Sequence, residues 1–326
     1  MESIKRIIAI VACFVVMCAL FSGCNTQAQQ STQPTETLNT VEETKNMFEN
    51  SIQKSDPGED DIFNVLLIGN SGFYYFPEEL YGVLTAAGFK ARVCVLYVGS
   101  STLQQHWTWL RDGEAKYQYH TVDDNGSVRN YDYTLVGGIK QHNWDVIGIN
   151  DGGMADHRKG PADRIVDARD EYFSGLIGYY RKEFPATKLY WQQNSAYQTG
   201  YNKGFTISST ADQENDRTVF ESIAKLVSER YSIGWVPRGN AAQIARANPV
   251  VGDTLTARIG INGDLGDLYH DGDIGGGQYL TACTWYEIIT GQSCIGNTYR
   301  PDYALSEEKI VALQQAAHEA VINMDQ

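Results

Sequence analysis

From Asp61 onward, short apolar runs alternate with stretches of helical period. Residues 63–68, Phe-Asn-Val-Leu-Leu-Ile, form a near-continuous apolar run, the pattern of a parallel strand buried on both faces. Residues 77–87 then place Leu80, Val83, Leu84 and Ala87 on one helical face, and Gly88 follows as a stop. Further strands are expected at 91–98, 144–149, 188–192 and 232–236. Helices are expected near 162–184 and 211–231, with two late ones near 277–290 and 306–323. Strands alternating with helices predict a three-layer α/β/α sandwich around a parallel five-stranded sheet. One segment breaks the rhythm. Residues 116–133 alternate aromatic and polar positions about Asp124-Asn125-Gly126, and Asn-Gly between alternating runs predicts a β-hairpin inserted between the second and third strands.

The first 60 residues carry a different pattern. Lys5 and Arg6 precede a largely apolar run from Ile7 to Phe21, followed by Ser22-Gly23-Cys24. The run is short for a transmembrane helix and ends on small residues before a cysteine. The pattern resembles a bacterial lipoprotein signal, with cleavage before Cys24 and lipid on its sulfur, although Phe21 stands where Leu is usual. Residues 24–60 are rich in Gln, Thr, Ser, Glu and Asn and predict a disordered tether. The expected division is therefore a signal peptide over 1–23, a tether over 24–60 and the α/β domain over 61–326. This predicts an extracytoplasmic protein held at the cell membrane or outer membrane by a lipid anchor at Cys24.

The formal net charge is −14, and it becomes −15 once residues 1–23 are removed. An acidic body of this kind is unsuited to nucleic acid or other polyanions. No Cys/His spacing suggests zinc, and no metal or cofactor is expected. After cleavage of residues 1–23, and with Cys24 lipidated, the remaining Cys94, Cys283 and Cys294 allow at most one disulfide, and Cys94 falls in a strand-like run as a small core residue.

Candidate chemistry falls at the strand ends. Ser71 follows the first strand in Gly69-Asn70-Ser71, and Asp267 and His270 lie in a glycine-rich stretch before a late helix. A serine at the end of a buried strand, with an Asp and a His to reach it, supplies the parts of a Ser-His-Asp hydrolase. Serine is a weak nucleophile until a base takes its proton. His270 fits that task, with Asp267 holding its tautomer. Each residue also has a plainer use: Ser71 as a helix cap, Gly99 as a loop glycine, Asn150-Asp151 as a turn, Asp267 and Asp271 as an acidic loop. His106 fits a cleft wall or a helix surface. Tyr74, Tyr75, Trp107, Trp109, Trp191 and Tyr197 fall near the strand ends in sequence, where aromatic faces suit sugar rings.

Taken together and in order, Gly69-Asn70-Ser71, Gly99, Gly148-Ile149-Asn150-Asp151 and Asp267-x-x-His270 resemble the four blocks of the SGNH (GDSL-like) hydrolase superfamily. Residues 96–107 and 281–291 also resemble a poorly characterised domain-of-unknown-function branch of it. Asn70 departs from the usual Gly-Asp-Ser of the first block. The resemblance implies a flavodoxin-like SGNH fold with Ser71, Asp267 and His270 as catalytic residues. It also implies an oxyanion hole made by the backbone N–H groups of Ser71 and Gly99 and the side-chain amide of Asn150.

The resulting expectation is a serine esterase acting on a small-molecule or glycan ester, with a carbohydrate O-acetyl group as one candidate substrate. The alternatives are a non-catalytic glycan-binding surface lipoprotein and a lipase or thioesterase of the same fold.

Overall fold

The structure, a computed structural model, describes residues 61–152, 158, 160–199, 207–252, 276–303 and 305–324. The signal-like segment, the tether and Cys24 lie outside the described residues, as do Asp267 and His270.

Five strands run parallel: β1 (Phe63–Gly69), β2 (Ala91–Tyr97), β5 (Val146–Ile149), β6 (Lys188–Gln192) and β7 (Gly234–Val236). The expected purely parallel five-stranded sheet needs one correction. The hairpin strands β3 (Tyr117–Asp123) and β4 (Gly126–Tyr133) join the same sheet antiparallel beside β2, giving seven strands in the order β4-β3-β2-β1-β5-β6-β7. A strand of the inserted hairpin pairs with β2 because that edge of β2 would otherwise leave its backbone N–H and C=O groups unpaired. Counted alone, the parallel strands have the flavodoxin-like order 2-1-3-4-5.

Alternation along each strand sends side chains to two separate cores. Leu66, Ile68, Cys94, Leu96, Ile147 and Ile149 pack under α3 (Leu103–Asp112), α5 (Ala162–Asp167), α6 (Asp170–Glu183) and α7 (Thr210–Tyr231). Val65, Leu67, Val93, Val95 and Val146 face α2 (Pro77–Ala86), α8 (Arg238–Ala247), α9 (Gly277–Thr290) and α10 (Glu307–Ile322). Two one-turn helices, α1 (Ser71–Tyr74) and α4 (Leu135–Ile139), complete the described elements. The element α9 is buried almost all round, since it lies between the sheet and α2, α8 and α10.

Local signals set the helix ends. Pro77 opens α2, with Glu78 and Glu79 in its first turn. Thr102 and Gln105 form a capping box on α3, and Gly113 ends it at φ 66°. The single helix expected over 162–184 is two, α5 and α6, broken at Ala168-Arg169. Cys94, Cys283 and Cys294 are buried free thiols. Among the described residues, no helix is long and apolar enough to cross a membrane.

Candidate active site

In an open parallel sheet, ligands bind beyond the carboxyl ends of the strands, where the strand order reverses. Here that point lies between β1 and β5, the strands that lead directly into Asn70-Ser71 and Asn150. The third approach is the turn after β2, which carries Gly99.

Ser71 is the first residue of α1 and half-buried. It does not cap that helix. The cap is Asn70, whose Oδ1 accepts from Gly72 N at 2.9 Å. The backbone N–H of a first helical residue has no acceptor within the helix. The Ser71 N–H therefore stands at the positive end of α1 beside the serine's own hydroxyl.

Asn150 comes to this turn from the next strand. Its Oδ1 accepts from Asn70 N at 3.1 Å, and its own N–H donates to Ile68 O at 3.4 Å. Fixing Oδ1 on Asn70 turns the amide nitrogen toward α1: a methyl group at Gly72 would lie 2.7 Å from Asn150 Nδ2. The neighbouring Asp151 faces the other way. Its Oδ1 accepts from Leu103 N at 3.1 Å and its Oδ2 from Arg169 Nε at 2.9 Å, tying α3 and α6 to the end of β5. Asn150 faces the candidate site, and Asp151 holds structure.

The Asn at position 70 has its own physical reason. Its Nδ2 donates to Ser101 O at 3.3 Å, a bond that an aspartate could not make. Ser101 O also accepts from Gly152 N at 2.8 Å. One carbonyl thus joins the turns after β1, β2 and β5. Within the β2 turn, Ser100 is held at φ 56°, a left-handed conformation that costs a serine about 1 kcal/mol or more.

A second support lies under α1, and nothing local in the sequence marks it. Gln192, at the end of β6, donates from Nε2 to Gly72 O at 3.1 Å, and its Oε1 accepts from Trp285 Nε1 of α9 at 2.7 Å. The Trp285 ring reaches this place because residue 148 is glycine: a methyl group there would sit 2.5 Å from the ring.

His106 belongs to neither a cleft wall nor a helix surface. It is buried, with Nε2 2.9 Å from Ser101 Oγ and Nδ1 2.6 Å from Tyr117 Oη. Burial pushes its pKa down to about 3, so the ring is neutral. Trp107 and Trp191 are core residues too. Of the aromatic residues noted near the strand ends, Tyr74 and Tyr75 remain half-buried at α1. The Tyr74 ring lies 4.4 Å from that of Tyr97, and the Arg129 guanidinium lies over it at 5.5 Å.

The structure thus brings together Ser71, Asn150 and the Gly99 turn at one end of the sheet. Asp267 and His270 lie outside the described residues; the described chain resumes at Gly276, which leads into α9.

A crystal structure of a DUF4886 family protein from Bacteroides uniformis ATCC 8492 is 26% identical, covers 82% of this chain and 97% of that one, and superposes with a TM-score of 0.69. More distant are the acetyl xylan esterase AlAXEase (15% identity, 69% and 99% covered, TM-score 0.43) and the acetylxylan esterase Axe2 from Geobacillus stearothermophilus (12%, 73% and 97%, 0.40). No curated protein sequence matches. Residues 64–320 match the family described as Domain of unknown function (DUF4886), and the chain belongs to that family.

Proposed function

We propose that the protein is a serine esterase working through Ser71, His270 and Asp267. The observation that carries this reading is the placement of Ser71. It opens a one-turn helix at the switch point of the sheet and is relieved of capping by Asn70, and the amide nitrogen of Asn150 lies against the next residue of that helix, Gly72. In the proposed reaction Ser71 Oγ attacks the ester carbonyl carbon while His270 takes its proton. The tetrahedral oxyanion is met by the N–H groups of Ser71 and Gly99 and by Asn150 Nδ2. Collapse expels the alcohol, which receives the proton from His270 and leaves an acyl-serine. Water, deprotonated by His270, then releases the carboxylic acid. Asp267 orients the imidazole and stabilises its charged form.

The proposed substrate is a small ester or an O-acylated glycan. An acidic, aromatic-rich domain on a tether suits work outside the cell, and the half-buried Tyr74 and Tyr75 follow Ser71 within and just after α1. The lipid anchor at Cys24 completes the proposal, carried by the apolar run and the Ser22-Gly23-Cys24 sequence.

The test is fluorophosphonate labelling with mapping of the modified residue, followed by turnover of short-chain, long-chain and thiol esters and of acetylated oligosaccharides. Labelling at Ser71 that vanishes in Ser71→Ala, with acetate released from the glycans, supports the reading. Preference for long acyl chains or thioesters moves it to the lipase or thioesterase alternative. Glycan affinity with no label and no turnover makes the protein a binding module.

A further inference from the structure

The pair Ser101–His106 has the form of a nucleophile with its base, yet both residues are 1% exposed. A buried serine cannot meet a substrate, and an imidazole already neutral across the working range has no titration to contribute. We propose that His106 is a positioning residue: through Ser101 it holds the strained β2 turn, and with it the Gly99 N–H, against the helix that carries Ser71. The role in catalysis rests on the esterase reading above; the mechanical role does not.

The β2 turn cannot hold itself. Ser100 is left-handed at φ 56°, a conformation that persists in a non-glycine residue only when its surroundings over-determine it. Those surroundings are the contacts of Ser101. Its N–H donates to Val98 O at 3.3 Å, and its carbonyl receives Asn70 Nδ2 and Gly152 N. Its hydroxyl meets His106 Nε2 at 2.9 Å.

His106 is itself pinned. Its ring stacks on Tyr117 at 5.5 Å between centroids, meets the edge of Trp109 at 5.7 Å, and places Nδ1 2.6 Å from Tyr117 Oη. A neutral imidazole donates from one nitrogen and accepts at the other. The line Ser101–His106–Tyr117 therefore runs in one direction or the other, and either way both ring nitrogens are satisfied. Tyr117 stands on β3, so the inserted hairpin is the fixed end of a line that reaches Ser71 through Ser101 and Asn70. Three short steps connect the outer part of the sheet to the candidate oxyanion hole.

The experiment compares the wild type with His106→Phe, His106→Gln and Ser101→Ala on the full chain. Phe keeps the ring and loses both hydrogen bonds, whereas Gln retains a group able to reach Ser101. Amide hydrogen exchange reads the mechanical claim without any substrate. Peptides covering 98–102 and 70–74 should exchange about tenfold faster in His106→Phe and Ser101→Ala, with partial recovery in His106→Gln. Ester kinetics read the catalytic claim: kcat should fall about tenfold, worth about 1.4 kcal/mol, with KM and the pH midpoint unmoved. Unchanged exchange at 70–74 in folded Ser101→Ala overturns the proposal, as does a shifted pH midpoint or a fluorophosphonate label on Ser101. A wild type that is neither labelled nor active removes the esterase reading alone, and exchange still decides the role of His106.

Discussion

The carboxamide of Asn150 occupies the space into which a side chain at Gly69 would project. A methyl group on Gly69 would lie 1.9 Å from Asn150 Oδ1, far inside van der Waals contact. Gly69 is therefore a matter of close approach, and the contact joins the first and third sequence blocks.

Gly69→Ala should displace Asn150 and lower kcat by the factor that Asn150→Ala produces, about 10²–10³ for loss of one oxyanion donor. The double variant should be little worse than either single one, because both act on the same amide. Gly69→Ala should also cost about 1–3 kcal/mol of stability through overpacking. Steady-state kinetics and urea unfolding check the two effects, and full activity in Gly69→Ala would remove Asn150 from the oxyanion hole.

Trp285→Phe tests the support beneath α1. The change leaves Gln192 Oε1 without its buried donor, at a cost of about 1–3 kcal/mol. With Gln192 loosened from Gly72 O, the rate should fall together with the melting temperature. Gln192→Leu added to Trp285→Phe removes the stranded acceptor as well and should recover part of that stability without recovering the rate.

Glu79 gives the fold a pH dependence. It is buried on α2, and burial is the main cause that pushes its carboxyl up to about 8, with the charge of Glu78 adding to it. Between the ordinary carboxylate value and about 8, the native state holds a proton that the unfolded chain has released. Stability should therefore decline as pH rises through that window and level off above it, at about 1.4 kcal/mol per unit for this one group. Glu79→Gln should flatten the decline, read as melting temperature against pH. A Gln variant with the wild-type slope would assign the dependence to other groups.

The strands were legible because burial on both faces leaves near-continuous apolar runs, and the hairpin because Asn125-Gly126 sits between alternating residues. The element α8 was not. Its buried side is Ala241, Ala242 and Ala245, packed on Ala316, Ala317 and Ala320 of α10, and small residues write a faint apolar stripe. The site divides the same way. Ser71, Gly99 and Asn150 sit in short blocks directly after β1, β2 and β5, whose carboxyl ends lie side by side in the sheet. His106 bonds Tyr117 across the turn into β3 and Gln192 bonds Trp285 from a helix far along the chain, and no local spacing announces such partners.

The pH profile of turnover tests the base. Activity should rise as His270 loses its proton, from a midpoint near the ordinary histidine value of about 6.5, displaced upward by Asp267. Asp267→Asn should lower kcat by several orders of magnitude by favouring the wrong tautomer. A flat profile between pH 5 and about 8 would argue against a histidine base.

Anchoring has its own test. Cys24→Ala should release the protein from membranes or stop its processing, read by fractionation and by the mass of the N-terminal peptide. Unchanged membrane association would make the apolar run over residues 7–21 the anchor itself.

The hairpin carries a consequence for solubility. Without it, β2 would end the sheet with Val93, Cys94, Val95 and Leu96 in a flat apolar row, open to pairing with a strand of another molecule. With it, the outermost strand is β4, where Arg129, Asn130 and Asp132 face solvent, Asp132 is twisted to φ 62°, and the β3–β4 register slips between Tyr117 and Tyr119. At the opposite margin β7 is only three residues long. A kinked strand and a very short one are poor templates for strand addition, and the hairpin keeps the apolar row of β2 from pairing with another molecule.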